Sequence, residues 1–315
     1  MFIVVALGGN AVSPPGRQGD IPAQFAATRA VVPSLVDRIV AGDRLLVTHG
    51  NGPQVGNVMR RVELAADQVY PLPMDIVVAD TQAGMGYMIC QALMNELAHR
   101  GKPGLCGTVI TTVRVDADDP MLHKAQKPVG PVMSKEKAEK HVREDGWQVA
   151  EDSGRGWRRV VPSPLPKEIV ELPLLRDLMG KGWTVVAAGG GGIPVLRDAQ
   201  GNYSGLSAVI DKDRTSAMLA AELGADVLAI LTNVEQVQRD FGKPSAKGLD
   251  RMTVGEAREL IKQGQFSPGS MLPKVDAAVD FLERSKNDRA EVLITSCERF
   301  ADGMAGRTGT RVVRG

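Results

Sequence analysis

Three glycine-rich segments each follow a run of apolar residues that is typical of a buried strand. They are Gly8-Gly9-Asn10, Gly50-Asn51-Gly52 and Gly189–Gly192. Glycine lets backbone N–H groups approach an anion with no Cβ in the way, and the Pro53 that follows the second segment suits the first turn of a helix. A single loop of this kind is about equally often a tight turn that binds no anion. If the three strands are parallel, however, the loops share one sheet edge and predict a phosphate site.

Three lysines are placed where they could act on a phosphoryl group. Lys212 stands between Asp211 and Asp213 just ahead of a predicted helix, Lys274 stands at another helix start, and Lys127 lies among prolines and a glycine. A phosphoryl group in transfer needs cations around its oxygens, and lysine supplies a point charge for that role. A single lysine is usually only a solvated surface residue. Their positions beside Gly and Pro at element starts make these three candidates.

Two familiar nucleotide-binding signatures fit the sequence less well. A P-loop requires Gly-Lys followed by Ser or Thr, whereas each Gly-Lys pair here is followed by Pro or Gly, which excludes a P-loop NTPase. The spacing Gly50-x-Gly52-x-x-x-Gly56 resembles a relaxed dinucleotide fingerprint, but no acidic residue closes the next strand, where the chain runs Tyr70–Pro73. A dinucleotide-dependent oxidoreductase therefore stays a minor alternative.

The histidines and cysteines do not form a metal-site pattern. His49 stands beside the second glycine segment, where we expect it to order the loop rather than to transfer protons. The other histidines lack ligand spacing, and the three cysteines are far apart and odd in number. This argues against a zinc site or a disulfide framework and favours a reducing compartment. We predict no metal held by the protein's own side chains.

The overall composition is that of an ordinary globular protein. The 315 residues carry a formal net charge of +1, with 43% hydrophobic and 4% aromatic residues. Balanced charge argues against nucleic acid or an anionic membrane as a partner. The apolar start, Phe2–Leu7, ends at a glycine pair and is too short for a signal peptide or a membrane span, so we expect a cytoplasmic protein.

Short apolar runs alternate with longer helical patterns along the chain. The predicted strands are Phe2–Leu7, Arg44–Thr48, Thr108–Val115, Thr184–Ala188, Val227–Thr232 and Val292–Ser296. The predicted helices are Ala23–Val40, Gln54–Asp67, Thr81–Ala98, Ile169–Met179, Arg214–Leu223, Val254–Lys262 and Lys274–Ser285. This alternation predicts an α/β fold with a mainly parallel sheet covered on both faces. Residues 116–166, rich in charge and proline, break the rhythm and predict a small inserted subdomain or lid.

Several motifs follow one another along the whole chain in an order that is typical of one enzyme family. They are Ala6–Ala11, His49–Gly56, Lys127–Pro131, Gly154–Pro164, Gly189–Val195, Ala208–Asp213, Gly269–Val275 and Gly309-Thr310. With them the sequence closely resembles the carbamate kinases of the amino-acid-kinase superfamily. Each motif alone is weak, but the ordered set is highly specific.

The resemblance implies one amino-acid-kinase domain over residues 1–315, folded as a three-layer αβα sandwich. Residues 1 to about 170 would form the carbamoyl phosphate lobe with a protruding subdomain at about 116–166, and residues from about 171 to 315 the nucleotide lobe. The resemblance also implies a homodimer. Its reaction would be reversible: carbamoyl phosphate and ADP give carbamate and ATP, with Mg²⁺ bound through the nucleotide phosphates.

The resemblance also assigns roles to individual residues. Lys212 and Lys274 would stabilise the transferring phosphoryl group, with Asp211 orienting the lysines. Lys127 would swing in from the subdomain. The carbamoyl phosphate would be held by Gly8, Gly9, Asn10, Gly50, Asn51 and Gly52. The nucleotide would be held by Gly190, Gly191, Thr232, Asn233, Val234 and Met271.

The sequence departs from the family pattern at three places. Ala125-Gln126 stands where Pro-Thr is usual, Ala83 stands where glycine is expected, and Gly205–Ala208 lacks an expected acidic residue. None of these changes removes a proposed catalytic charge, but they leave room for a different substrate or lid. Two alternatives therefore stay open: a relative that phosphorylates another small acid, and a non-catalytic sensor of carbamoyl phosphate or nucleotide.

Overall fold

The computed structural model describes residues 1–12, 20–152 and 156–315. Its strands are β1 (Phe2–Leu7), β2 (Arg44–His49), β3 (Cys106–Val109), β4 (Thr112–Arg114), β5 (Lys127–Met133), β6 (Gln148–Glu151), β7 (Trp157–Val161), β8 (Glu168–Ile169), β9 (Thr184–Ala187), β10 (Ile193–Arg197), β11 (Tyr203–Gly205), β12 (Val227–Thr232), β13 (Val237–Arg239), β14 (Lys247–Leu249), β15 (Arg251–Thr253), β16 (Glu291–Ser296) and β17 (Thr310–Val313). Its α-helices are α1 (Gly9–Val12), α2 (Ile21–Val40), α3 (Gly52–Leu64), α4 (Met74–His99), α5 (Lys135–Asp145), α6 (Leu172–Gly180), α7 (Lys212–Leu223), α8 (Val254–Lys262), α9 (Leu272–Arg284) and α10 (Phe300–Met304). Within these described ranges no helix combines the length and the apolar character that a membrane span requires.

A central sheet organises the body of the molecule. Eight of the described strands lie in the order β15–β17–β16–β12–β1–β2–β9–β3. Neighbouring strands run parallel except for the antiparallel pair β16–β17. The carboxyl ends of β12, β1, β2 and β9 therefore lie side by side at one edge of the sheet.

Both faces of this sheet are buried, which explains why β1 shows no alternation of polar and apolar residues. Phe2 and Val4 belong to the core cluster shared with α7 and α9, whereas Ile3 and Val5 belong to the cluster shared with α2 and α4. Strands covered by helices on both faces are near-continuous apolar runs. The predicted αβα sandwich with a mainly parallel sheet is confirmed.

The helix predicted at Thr81–Ala98 begins earlier in the structure, at Met74, and two further differences from the predicted elements have a local cause. The single strand predicted at Thr108–Val115 is divided into β3 and β4, which lie in different sheets. The break has a local cause: the buried Gln82 side chain accepts from Thr111 N at 2.9 Å and donates to Thr111 O at 3.1 Å, so this residue leaves the strand ladder. The helix predicted from Ile169 begins at Leu172 instead, because Ile169 pairs with Val113 as part of β8.

Residues 127–161 contain a small antiparallel sheet of their own, in the order β5–β7–β6, together with α5. Ser134 caps the start of α5, and Gly146 ends it in the left-handed conformation that favours glycine. The contacts of this subdomain with the body include an ion pair of Lys137 with Glu63 at 2.7 Å and a hydrogen bond from Val209 N to Pro162 O at 3.1 Å. Its first strand delivers Lys127 to the sheet edge that carries the glycine loops.

Candidate active site

The three glycine loops meet at one edge of the central sheet, as the sequence pattern predicts. They follow β1, β2 and β9, which are adjacent and parallel. Gly8, Gly50 and Gly190 line the same cavity of about 300 Å³. Lys127, Lys212 and Lys274 also line it, so the loops and the predicted cations share one site.

The backbone N–H groups of these loops have two different functions. Gly8 N donates to Leu231 O at 2.9 Å, and Gly50 N donates to Leu7 O at 3.0 Å, so these groups serve the sheet. At the start of α3, by contrast, the N–H groups of Asn51 and Gly52 have no acceptor among the described residues. Free N–H groups at the positive end of a helix dipole form a ready anion site. The anion-binding part of the second loop is therefore the α3 start.

The tetraglycine segment supports the second loop through close packing. Gly190 has a φ of +66°, and a Cβ there would overlap the Asn51 side chain. Asn51 is itself held in place, because its Nδ2 donates to Thr81 Oγ1 at 2.9 Å. Only glycine satisfies both the positive φ and the close approach. Gly190 lines the cavity beside Gly50, so the structure places it next to the predicted phosphate loops, and its predicted nucleotide role stays a prediction.

A buried carboxylate joins two of the three lysines. Lys274 Nζ lies 2.9 Å from Asp213 Oδ2, and Lys212 Nζ lies 3.0 Å from Asp213 Oδ1. Lys212 Nζ also donates to Leu7 O at 3.0 Å, which ties it to the end of β1. The Asp213 side chain is only 6% exposed. The two ammonium groups are thus held side by side over the glycine loops.

The charge state of Asp213 follows from its two neighbours. Burial by itself would raise the pKa of this carboxyl, but the positive charges of Lys212 and Lys274 outweigh burial and hold the pKa well below its usual range. Asp213 is therefore ionised near neutral pH. A fixed carboxylate between two ammonium groups leaves a net positive centre facing the cavity.

Asp211 has a different set of contacts. Its Oδ2 accepts from Lys127 Nζ at 2.9 Å, and its Oδ1 caps α7 by accepting from Asp213 N at 2.9 Å. The sequence resemblance gives Asp211 the orienting role for the lysines, whereas Asp213 is the carboxylate that contacts Lys212 and Lys274. Sequence reasoning did not single out Asp213. Its one signal was its position on the other side of Lys212.

Among the residues predicted to hold the nucleotide, Gly190 lines the cavity, whereas Gly191, Thr232, Asn233, Val234 and Met271 are not lining residues. Thr232, Asn233 and Val234 follow the end of β12, the strand next to β1. Gly191 is part of the tetraglycine turn, where a Cβ would overlap Ile210 O. Met271 immediately precedes α9 and packs partly buried against the core. The predicted contribution of the Asn10 side chain lies outside the described side chains, and the 154–155 part of the Gly154–Pro164 motif lies outside the described residues.

The model of the amino acid kinase family matches residues 1–296 of the chain. The chain belongs to this family. Three relatives match this chain over nearly its whole length. Carbamate kinase of Thermococcus kodakarensis is 46% identical and covers 99% of this chain and 99% of its own. Carbamate kinase 3 of Staphylococcus aureus is 45% identical, with 98% of both chains covered. The solved carbamate kinase from Giardia lamblia bound to AMP-PNP has a TM-score of 0.93 and 35% identity, over 100% of this chain and 98% of that one.

These similarities place the chain among the carbamate kinases of the amino acid kinase family. They extend over nearly the whole length of each chain, so the cavity lies in the matched region. The protein is therefore an enzyme of the kinase type. Neither the family model nor the relatives assign roles to individual residues here, so those roles stay predictions drawn from the geometry.

His49 lies beneath the glycine loops of this amino acid kinase site. It is 1% exposed, and a Cβ at Gly189 would meet its ring. Its Nδ1–H donates to Gly50 O at 3.1 Å. Burial lowers the pKa of His49 from 6.5 to about 4, the Lys212 charge adds to this decrease, and the bond to Gly50 opposes it. His49 is thus neutral near pH 7 and supports the loop.

We expect His49 to make folding stability depend on pH. Between the unfolded pKa of 6.5 and the folded value of about 4, the unfolded chain binds a proton at His49 that the native protein does not. The free energy of unfolding therefore decreases as the pH falls through this window, by up to about 3 kcal/mol. Denaturant titrations at several pH values, on the protein and on His49→Gln, measure this contribution.

The matched control is His99→Gln, because the His99 side chain is 77% exposed. This variant should keep the full pH dependence, whereas His49→Gln should lose the part between pH 6.5 and about 4. The same slope of unfolding free energy against pH in all three proteins would contradict the prediction.

Proposed function

We propose that this enzyme transfers a phosphoryl group reversibly between carbamoyl phosphate and ADP, giving carbamate and ATP. The observation that carries the proposal is the cluster of Lys212, Asp213 and Lys274, which shares one cavity with the free N–H groups at the start of α3. Such a site presents fixed positive charge and backbone donors to one small, highly charged phosphate. The relatives named as carbamate kinases support carbamoyl phosphate as the donor of that phosphate.

The chemistry requires positioning and charge stabilisation more than proton transfer. A β-phosphate oxygen of ADP attacks the phosphorus, the bond from phosphorus to the carbamate oxygen breaks, and carbamate leaves with the electron pair. No proton has to move, because nucleophile and leaving group are both anionic oxygens. Lys212 and Lys274 would neutralise the equatorial oxygens of the phosphoryl group in flight. The neutral His49 fits this scheme as a structural residue rather than a proton carrier.

Lys127 would complete the site from the subdomain. It is at the start of β5 and its side chain is 42% exposed, so it is the most accessible of the three lysines. Its partner Asp211 caps α7, the helix that begins with Lys212. We infer that Lys127 holds the carbamoyl phosphate end of the substrates, while Lys212 and Lys274 act on the phosphoryl group that is transferred.

Mg²⁺ would enter this site on the nucleotide phosphates. Among the described residues no group of three or more His, Cys, Asp or Glu side chains could hold a metal ion. Asp211 and Asp213 already contact lysines. The residues of the site therefore fit a substrate in which Mg²⁺ is bound by the nucleotide and neutralises phosphate charge. The solved relative bound to AMP-PNP supports nucleotide binding, and we place the nucleotide beside Gly190, Gly191, Thr232–Val234 and Met271.

As the sequence resemblance implies, we also expect a homodimer in the cytoplasm.

A turnover assay tests the proposal directly. Purified protein is incubated with carbamoyl phosphate, ADP and Mg²⁺, and ATP is followed by a coupled reaction. We expect ATP well above the amount from spontaneous decomposition, and ATP formation that is roughly 10³-fold slower in the Lys274→Ala variant. No ATP above the spontaneous level from the unmodified protein would overturn the proposal.

The same preparation separates the two alternatives. A panel of other acyl phosphates with ADP would identify a relative that acts on another small acid. Calorimetry with carbamoyl phosphate and with ADP would identify a sensor, which would bind its ligand without turnover. The complete set of Lys127, Lys212 and Lys274 in one cavity favours the enzyme.

A further inference from the structure

A second cavity of about 440 Å³ lies between the body and the subdomain. It is separated from the candidate active site by a small apolar cluster that includes Met59, Met74, Val77 and Val129. Its floor comes from α3 and α4 and its roof from α5, β7 and the segment after β11. A cavity of this size suits a small molecule, and none of the roles proposed above uses it.

The cavity contains a cation without a nearby counter-ion. Arg159 of β7 lies with its guanidinium 4.6 Å from the Trp147 ring and donates to Ser207 Oγ at 3.1 Å. No carboxylate of the described residues lies within ion-pair distance of it. Burial lowers the pKa of the Arg159 guanidinium, and the more distant charges of Asp145 and Glu63 only partly offset this. Several of its N–H groups are therefore free to bind an anion.

The same cavity contains one carboxylate that has no polar partner among the described residues. Asp75 stands in the first turn of α4 and packs against Gly205 on the opposite wall. The other two carboxylates of the lining are already used, because Glu63 pairs with Lys137 and Asp145 pairs with His141. Asp75 and Arg159 line the cavity together without forming an ion pair with each other. The space between them thus carries two opposite, unmatched charges.

The rest of the lining is largely apolar. It includes Met59, Val62, Leu72, Met74, Val77 and Leu206. Apolar walls with a few placed polar groups are typical of small-molecule sites, where the polar groups fix orientation. The roof segment 205–207 also lies within one of the three places where this chain departs from the sequence pattern of the family it resembles. The lining of this second cavity shares no residue with the lining of the cavity that contains the three lysines.

We propose that this second cavity binds a small α-amino acid with an apolar side chain, whose carboxylate contacts Arg159 and whose ammonium group contacts Asp75. A molecule carrying both charges matches both unmatched groups at once, and its side chain covers apolar wall. A simple carboxylate would leave Asp75 unpaired, and a simple amine would leave Arg159 unpaired. The inference concerns a ligand other than the substrates of the proposed reaction and does not depend on turnover.

Calorimetric titration with L-leucine tests this inference, together with two analogues of the same shape. Isocaproate lacks the ammonium group and isoamylamine lacks the carboxylate. We expect leucine to bind with a Kd between about 1 µM and 1 mM, and each analogue to bind at least about tenfold more weakly. Equal binding of leucine and isocaproate, or no heat from leucine, would overturn the proposal.

Three variants locate the binding. Arg159→Gln and Asp75→Asn should each weaken leucine binding about tenfold or more. Arg143→Gln changes an exposed arginine on the same subdomain, outside the cavity, and should leave binding unchanged. Asp75→Asn retains the shape of the cavity, so it keeps the test informative if Arg159→Gln fails to fold. Leucine binding that survives both cavity variants would place the ligand elsewhere and overturn the proposal.

Discussion

Lys274→Ala is expected to reduce kcat roughly 10³-fold with a much smaller change in KM for either substrate. Lys274 is held against Asp213 at the edge of the cavity, and Lys212→Ala should behave in the same way. Cations that face the transferring phosphoryl group stabilise its transition state more than the bound ground state, so their loss appears mainly in kcat. Steady-state kinetics in the ATP-coupled assay measure both parameters.

The control for these variants is Lys262→Ala. Lys262 is an exposed lysine in the last turn of α8, away from the cavity. Its removal should leave kcat and KM unchanged. If Lys274→Ala or Lys212→Ala keeps the kcat of the unmodified protein, the lysine concerned does not act on the phosphoryl group.

Asp213→Asn is expected to damage both stability and turnover. It removes the carboxylate that two largely buried lysines share, and the side-chain exposures are 6% for Asp213, 11% for Lys212 and 16% for Lys274. Leaving two buried ammonium groups without their partner should lower the free energy of unfolding by about 3–5 kcal/mol. The same loss lets the lysines move away from their aligned positions, so we expect kcat to fall by roughly 10²-fold.

A matched control lies on the same helix as Lys274. Asp276 of α9 pairs with Arg214 at 2.9 Å, but its side chain is 46% exposed. Asp276→Asn should therefore cost only about 0–1 kcal/mol and leave kcat unchanged. Denaturant unfolding and the coupled assay, run below the melting range of each variant, separate the two effects. Equal unfolding free energies for Asp213→Asn and Asp276→Asn would contradict the proposed role of Asp213 as the anchor of the lysine pair.

The contrast between Asp211 and Asp213 bears on how the site is built. Both flank Lys212 in the sequence, yet one caps α7 and reaches Lys127, while the other lies in the first turn and reaches Lys274. A helix turns by about 100° per residue, so positions two apart point in widely different directions. At the start of α7, Asp211 thus contacts Lys127 and Asp213 contacts Lys274, two lysines from distant segments of the chain.

The sequence by itself determined much of the architecture and the residue types that form the site. Buried strands show as unbroken apolar runs because both sheet faces are covered, so β1, β2, β9 and β12 were predicted almost to the residue. Glycine at loop positions and lysine at helix starts report local requirements, namely close approach of backbone and placement of charge. Such requirements act over a few residues, and a sequence displays them directly.

Only the tertiary structure decided which groups meet. Strand order places the loops after β1, β2 and β9 side by side, although they are far apart in the chain. The pairing of Lys274 with Asp213 spans 61 residues, and that of Lys127 with Asp211 spans 84. Lysine can pair with any carboxylate it reaches, so residue type alone leaves the partner open. The fold selects the partner, because packing of α7 against α9 and the return of β5 to the sheet edge fix which charges lie within 3 Å of each other.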